Sequence, residues 1–271
     1  MIYTIINQKG GVGKTTTASA LGAGLARRGK VLLIDMDAQG NLTKELEKRG
    51  SEPTVLDMLA GKSSASQAII RMDDTKALIP SSPFLAAADV SITDIGKEFR
   101  LREALEAVKN DYDYIVIDTP PAAGILTVNA LTAADAAIIP AEAEIKSIEG
   151  VALIVQTIDA VRKYCNPNLT ISGILVTRFN GRARIAKDML EMLQDTAEHI
   201  GTKVFGTKIR ECTALKEAAA LRTDIFAYAP KSNGAADYGG LIDELLPRTA
   251  AKRTSRKRTP KKKTSDNQTY K

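Results

Sequence analysis

Short apolar, β-branched runs recur along the chain. Residues 2–7 (IYTIIN) end at a cluster of glycines, and residues 30–35 (KVLLID), 112–121 (YDYIVIDTPP), 136–141 (AAIIPA) and 169–179 (LTISGILVTRF) have the same character. Residues 203–209 predict a sixth strand and residues 76–81 a further one. Runs this short and this continuously apolar read as strands buried on both faces. Helical patterns separate them: residues 15–28, stopped by Gly29, then 97–109, 148–164, 185–199, 214–221 and 235–246. Strands alternating with helices predict the α/β class, a mostly parallel twisted sheet with helices on both faces. In such sheets ligands bind beyond the carboxyl ends of the strands. Three loops fall there: residues 8–14, 35–43 and 118–124.

Composition bounds the rest. A chain of 271 residues, 44% hydrophobic, supports one sizeable α/β domain. Aromatics are 4% and Trp is absent, so the core must be built from Ala, Leu, Ile and Val. The net charge of +6 is uneven. Residues 248–271 carry ten Lys/Arg against one Asp, which leaves residues 1–247 at −3. That terminal stretch has almost no large apolar residues and cannot build a core. The division is therefore a folded domain over 1–247 and a Lys/Arg-rich, disordered tail over 248–271. Cys165 and Cys212 are far apart and form no C-x-x-C pair, which argues against a disulfide framework, a zinc site or an iron–sulfur ligand set and fits a reduced, cytoplasmic setting. No signal-peptide pattern opens the chain, and no run approaches the ~20 apolar residues of a membrane span. His199, the single histidine, reads as a surface or helix-end residue.

The chemistry concentrates at NQKGGVGKTT, residues 7–16. The P-loop pattern G-x-x-x-x-G-K-S/T asks for glycine where Gln8 stands, and a second lysine, Lys9, sits beside it. The context, a strand, a glycine loop ending in Gly-Lys-Thr and then a helix, is the one a P-loop requires. Gly10, Gly11, Val12 and Gly13 would turn backbone N–H groups toward phosphate oxygens, and the helix N-terminus adds partial positive charge. Lys14 would reach the β- and γ-phosphates, the Thr15 hydroxyl would ligate Mg²⁺, and Thr16 would bond a phosphate from the first turn. Asp118 ends an apolar strand, the place of a Walker B carboxylate serving the Mg²⁺ shell. Asp35 and Asp37 end the strand after the first helix and supply a second carboxylate pair, with Asp35 expected beside Thr15 and Asp118 in the Mg²⁺ shell.

KGGVGKTT followed by VLLIDMDAQGNLT and YDYIVIDTPP resembles the ParA/Soj-type partition ATPases of the deviant Walker A (MinD/ParA) superfamily. The resemblance runs from residue 1 to about 246 and includes IPSSPFLAAAD and YAPKSNGAADYGGLIDELL. It implies a single α/β domain that dimerises with two ATP molecules sandwiched between subunits. Lys9 matches the signature lysine that reaches the partner's phosphates; Lys14, Thr15 and Thr16 match the P-loop residues. Asp37 matches the switch I aspartate that supports hydrolysis by positioning or activating water, Asp35 precedes it in the same motif, Asp118 matches Walker B, and TPPAAG looks like switch II. Weak intrinsic Mg²⁺-dependent ATP hydrolysis, stimulated by a ParB-like centromere-binding partner, is implied as well. The chain departs from the pattern at IRECTALKEA, where Arg210 and Cys212 replace a proline and an asparagine near the nucleotide base, and at Ala38, where relatives often carry proline. The P-loop lies a few residues from the first residue, which leaves no room for a preceding helix-turn-helix and argues against operator-specific autoregulation.

Sister proteins differ in what the ATP-bound dimer holds. A membrane-binding relative would end in an amphipathic helix, but KRTSRKRTPKKKT has no apolar face. Non-specific DNA is the expected partner, with nucleoid association. Candidate contacts are Arg178, Arg182, Lys203, Lys208, Arg210, Lys216 and Arg222 in the body, and Arg256, Lys257, Arg258, Lys261, Lys262 and Lys263 in the tail. A flexible basic arm neutralises several phosphates, with affinity that falls steeply with salt. Two alternatives stay open: a positioning protein for a non-DNA cargo that uses the nucleoid as a matrix, and a non-hydrolysing ATP-dependent scaffold.

Overall fold

The computed structural model describes residues 1–46 and 53–246, so the tail expected from residue 248 lies outside the described residues. Seven strands form one sheet: β1 (Ile2–Ile5), β2 (Val31–Asp35), β3 (Ile70–Arg71), β4 (Lys76–Ile79), β5 (Tyr114–Asp118), β6 (Ala136–Glu142) and β7 (Thr170–Thr177). Their order is β3-β4-β2-β5-β1-β6-β7, and every pair is parallel except β3 with β4. All five residues of β2 are buried, as are Ile115, Val116, Ile117 and Asp118 of β5, which is why these strands read as unbroken apolar runs.

Helices cover both faces. On one face, helix Lys14–Leu25 and helix Asn233–Leu245 seal a core that includes Leu21, Leu33, Val116 and Tyr238. The other face is covered over β2 and β5 by Leu101, Leu105 and Leu126, and over β6 and β7 by Val151, Ile154 and Ile158 of helix Ile145–Tyr164. Each fully buried Leu or Ile contributes about 1.5–3 kcal/mol, and together these side chains clamp the strand ends that carry the polar site. β1 sits between β5 and β6, and the register sets Ile5 and Asp35 each opposite Asp118. The carboxyl ends of β1, β2 and β5 therefore converge at one crevice.

Several short elements, among them helices Asn41–Leu46 and Val55–Leu59, were not anticipated, and three departures bear on the core. Residues 203–209 are not a regular strand; they touch β7 and its extension through the isolated bridges Ile174–Val204 and Phe179–Arg210. The reason is a side chain: Glu244 accepts the amides of Gly206 and Thr207, so the backbone there bonds to a carboxylate instead of a ladder. Helix Ile125–Ala133 was not anticipated, because eight of its nine residues are buried and it shows no amphipathic period. The helix expected over 97–109 is broken into a 3₁₀ turn Lys97–Phe99, a helix Arg100–Glu106 and a second 3₁₀ turn Lys109–Asp111. The buried Asn129 holds the first break, donating to Lys97 O at 2.8 Å and accepting from Leu101 N at 3.0 Å.

Candidate functional site

The glycine loop is held from both sides. Asn7, fully buried at the end of β1, donates to Pro140 O at 2.7 Å and accepts from Lys9 N at 2.9 Å. Thr177, at the end of β7, donates to Val12 O at 2.9 Å. Val12 is itself buried and anchors the loop's apolar side. Gly11 and Gly13 have φ of 81° and 86°, a left-handed backbone that favours glycine and turns successive amides inward. Gly13 then starts helix Lys14–Leu25 with no side-chain cap, so its first amides remain for an anion.

Lys14 is 7% exposed and donates to Lys9 O at 3.2 Å. Burial lowers its pKa, while the charges of Asp118 and Asp37 pull it back up. Gly10, Gly11, Gly13, Lys14, Thr15, Thr16 and Asp37 line a cleft of about 660 Å³, a size that holds a small organic ligand.

Two buried carboxylates meet behind that cleft. Asp35 has its pKa raised to about 6 by burial, opposed by hydrogen bonds from Thr43 and from the Asp37 amide. Thr43 N and Oγ1 both donate to Asp35 Oδ2 at 2.8 Å, and Asp37 N donates to Oδ1 at 3.1 Å. Asp35 thus braces the loop that carries Asp37. Asp118 is fully buried, and among the described residues neither of its carboxylate oxygens has a hydrogen-bond partner. Burial pushes its pKa well above the ordinary carboxylate range and the charge of Asp35 adds to this, while the nearby Thr15 hydroxyl, outside hydrogen-bond geometry, and the charge of Lys14 pull in the other direction. Unpartnered buried oxygens of this kind are costly, and a hydrated divalent cation would satisfy them. No three acidic, His or Cys side chains among the described residues form a metal cage. Mg²⁺, which keeps several waters and is held by one or two carboxylates plus substrate phosphates, matches the unpartnered Asp118.

Lys9 is not among the residues that line this cleft. Its Nζ pairs with Glu144 and lies 3.5 Å from Glu142, and Arg178 donates to the same Glu142 at 3.1 Å. Within one chain Lys9 is therefore held by acids at the end of β6, and Lys14 is the lysine beside the phosphate loop.

Of the basic residues expected on a DNA face, Arg178, Arg210, Lys216 and Arg222 border the cleft or the small cavity beside it. Arg178 and Arg222 line the nucleotide-sized cleft, and they are the only non-glycine positions with positive φ among the described residues, at 50° and 53°. Arg210 forks onto Asp237, with Nη2 donating to Oδ1 at 2.6 Å. Lys216 lies 3.6 Å from Glu211, Lys208 donates to Gly206 O, and Lys203 sits over the Phe205 ring. Arg182 donates its amide to Asn180 in the loop after β7. The tail candidates Arg256, Lys257, Arg258, Lys261, Lys262 and Lys263 lie outside the described residues.

Arg178, Arg210 and Lys216 also border a second cavity of about 190 Å³ with Cys212, Leu215 and Tyr238. It adjoins the main cleft through Gly13, Thr16 and Ala219. Sequence reading missed Asn7, Thr177 and Glu45. Glu45 borders the main cleft with its pKa pushed up to about 7 by burial, against the Ser19 hydroxyl. Asn7 lay in the glycine stretch and Thr177 in the strand run 169–179, but neither was given a role there.

An AAA domain family model matches residues 1–171. The chain is 41% identical over 250 residues to the sporulation initiation inhibitor protein Soj of Bacillus subtilis, covering 90% of this chain and 97% of that one. A putative plasmid partition protein from Borrelia burgdorferi, solved bound to AMPPNP, superposes with a TM-score of 0.77 at 30% identity, over 90% of this chain and 98% of that one. Cobyrinic acid a,c-diamide synthase from Mycobacterium smegmatis, solved with an ATP analogue and magnesium, gives a TM-score of 0.78 at 34% identity, over 90% and 93%. The matched stretches contain the glycine loop, Asp35, Asp37 and Asp118, and the chain belongs to the ParA/Soj-type partition ATPases, P-loop enzymes that hydrolyse ATP with Mg²⁺.

Proposed function

We propose that the chain works as a DNA-partition switch, in which two copies close over two ATP molecules, hold DNA without sequence preference, and release it on hydrolysis. The observation that carries the ATP site is the convergence of Lys14 and the unpartnered Asp118 beside the left-handed glycines Gly11 and Gly13. The amides of residues 10–13 and Lys14 would bind the phosphates. Thr15 and Asp118 would hold the Mg²⁺ shell, with Asp35 fixing the loop that presents Asp37 to the attacking water. Mg²⁺ would supply charge neutralisation on the phosphates. The small cavity between Arg178 and Cys212 is the place for the base.

Lys9 supports the dimer reading. A transferring phosphoryl group spreads negative charge that cations in trans can stabilise, and Lys9 is occupied by Glu142 and Glu144 rather than by its own cleft. Non-specific attachment to the nucleoid would come from Arg182, Lys203, Lys208 and the tail, with a ParB-like protein stimulating turnover. Arg178, Arg210, Lys216 and Arg222, which border the cleft or the cavity beside it, would add to that attachment. The same switch would serve a non-DNA cargo on the nucleoid.

The test is dimer mass by light scattering, together with DNA binding, with ATP, with ADP and without nucleotide. A dimer that binds DNA in ATP alone is expected; a monomer indifferent to ATP overturns the proposal. A chain ending at Pro247 should bind DNA more weakly and with a shallower salt slope. Unchanged affinity and slope would remove the tail from the account.

A further inference from the structure

Helix Ile125–Ala133 begins where the loop after Asp118 ends. Its N-cap, Gly124, has no side chain to accept the amides of the first turn. A carboxylate 36 residues away does so: Asp89 Oδ1 accepts from Ile125 N at 2.7 Å. The approach is close, since a Cβ on Gly124 would lie 2.6 Å from Asp89 Oδ2. A carboxylate at a helix N-terminus also gains from the helix dipole. Asp89 sits on a single turn, Ala88–Ser91, anchored by the buried Ala88.

The near end of that loop is fixed independently. Asp118 lies in the sheet, and Thr119 Oγ1 donates to Ile5 O at 2.8 Å. Between the two anchors run Pro120, Pro121, Ala122 and Ala123, of which Pro121 borders the nucleotide-sized cleft. The loop has no long polar side chain with which to hold itself. Thr127 Oγ1 donates to Ala122 O, so the first helical turn carries the loop with it. Displacing that turn would displace the cleft wall.

We propose that Asp89 is a positioning residue for ATP hydrolysis: by capping the helix after the Asp118 loop it fixes residues 120–124 at the wall of the nucleotide cleft. The proposal rests on the ATP reading above. The test uses the full chain carrying Asp89→Ala, Asp89→Asn or Gly124→Ala, with three readouts: amide exchange at Ile125 without nucleotide, kcat and KM for ATP, and Tm. In Asp89→Ala, exchange at Ile125 should speed up about tenfold. The value of kcat should fall about tenfold, with KM for ATP held within about threefold. Asp89→Asn keeps an acceptor and should recover both the protection and most of kcat. Gly124→Ala pushes the cap away from the other side and should reproduce the Asp89→Ala pattern if the first variant folds poorly. An Asp89→Ala protein with wild-type turnover overturns the proposal, as does one whose turnover falls while Ile125 keeps its protection. If the unmodified chain hydrolyses no ATP, the ATP reading fails, and exchange at Ile125 still decides whether Asp89 is the cap.

Discussion

Replacing Asp118 with Asn should stabilise the empty protein and abolish its stabilisation by Mg²⁺ and ATP. Asp118 is fully buried, its oxygens have no donors among the described residues, and it stands opposite Asp35 on the neighbouring strand. Neighbouring strands are about 5 Å apart, so two ionised carboxylates there repel by about 3 kcal/mol at an effective dielectric of 20. The Asn amide introduces an unpartnered donor costing about 1–3 kcal/mol. The net gain is about 0–2 kcal/mol, or up to roughly 8 °C in Tm for a domain of this size. The pH dependence fixes the sign. A carboxyl whose folded pKa is raised contributes full stability below its unfolded pKa and loses it as pH rises through the folded value. Burial and Asp35 raise that of Asp118. The advantage of Asn should therefore be smallest near pH 4 and grow as pH rises. Thermal unfolding of both proteins across this range, with and without Mg²⁺ and ATP, measures each arm. At a ligand concentration 100 times Kd the wild-type protein should gain about 2.7 kcal/mol, and the variant should lose the Mg²⁺-dependent part. A variant less stable than wild type at pH 8, or one with an undiminished Mg²⁺–ATP shift, refutes the reasoning.

Other perturbations separate the roles of neighbouring residues. Lys9→Ala removes a half-exposed pairing with Glu142 and Glu144, so unfolding free energy should change by no more than about 1 kcal/mol. ATP-dependent dimer mass should disappear while ADP still binds; an intact dimer would dismiss the role in trans. Cys212 borders the small cavity beside Arg210, so ATP at saturation should slow its alkylation by about tenfold or more, with Cys165 as the unaffected control. Equal rates with and without ATP would place the base elsewhere. Gly24→Ala would set a methyl group against Ile242 and Phe226, with an expected loss of about 1–3 kcal/mol in denaturant unfolding. A loss below about 0.5 kcal/mol would show that helices Lys14–Leu25 and Asn233–Leu245 part easily.

What the sequence showed and what it hid divide along a physical line. β2 and β5 were legible because a strand buried on both faces needs nothing but consecutive apolar residues, and VLLID and YIVID supply them. Residues 203–209 are equally apolar in places, but a distant residue, Glu244, decides their backbone bonding. Helix Ile125–Ala133 escaped for the opposite reason: burial on all sides erases the period by which helices are recognised. At the site, Gly11, Gly13, Lys14 and Asp118 were visible because a phosphate loop is a local object, a turn and a helix start within a few residues. Asn7 and Thr177 hold that object in place through contacts that span 133 and 165 residues.

The same division explains why the carboxylates could be named before their roles. Asp35, Asp37 and Asp118 are all aspartates at strand ends, yet their surroundings differ. Asp35 has its oxygens filled by Thr43 and the Asp37 amide, so it holds shape. Asp118 has them empty, so it holds unmet bonding capacity. An empty site with that carboxyl buried is disfavoured by the desolvation of its charge, and a cation with its waters removes that penalty as it binds. Stability withheld from the empty protein would thus return with a bound cation. Mg²⁺ and ATP would in this way be coupled to the loops on either side of Asp118.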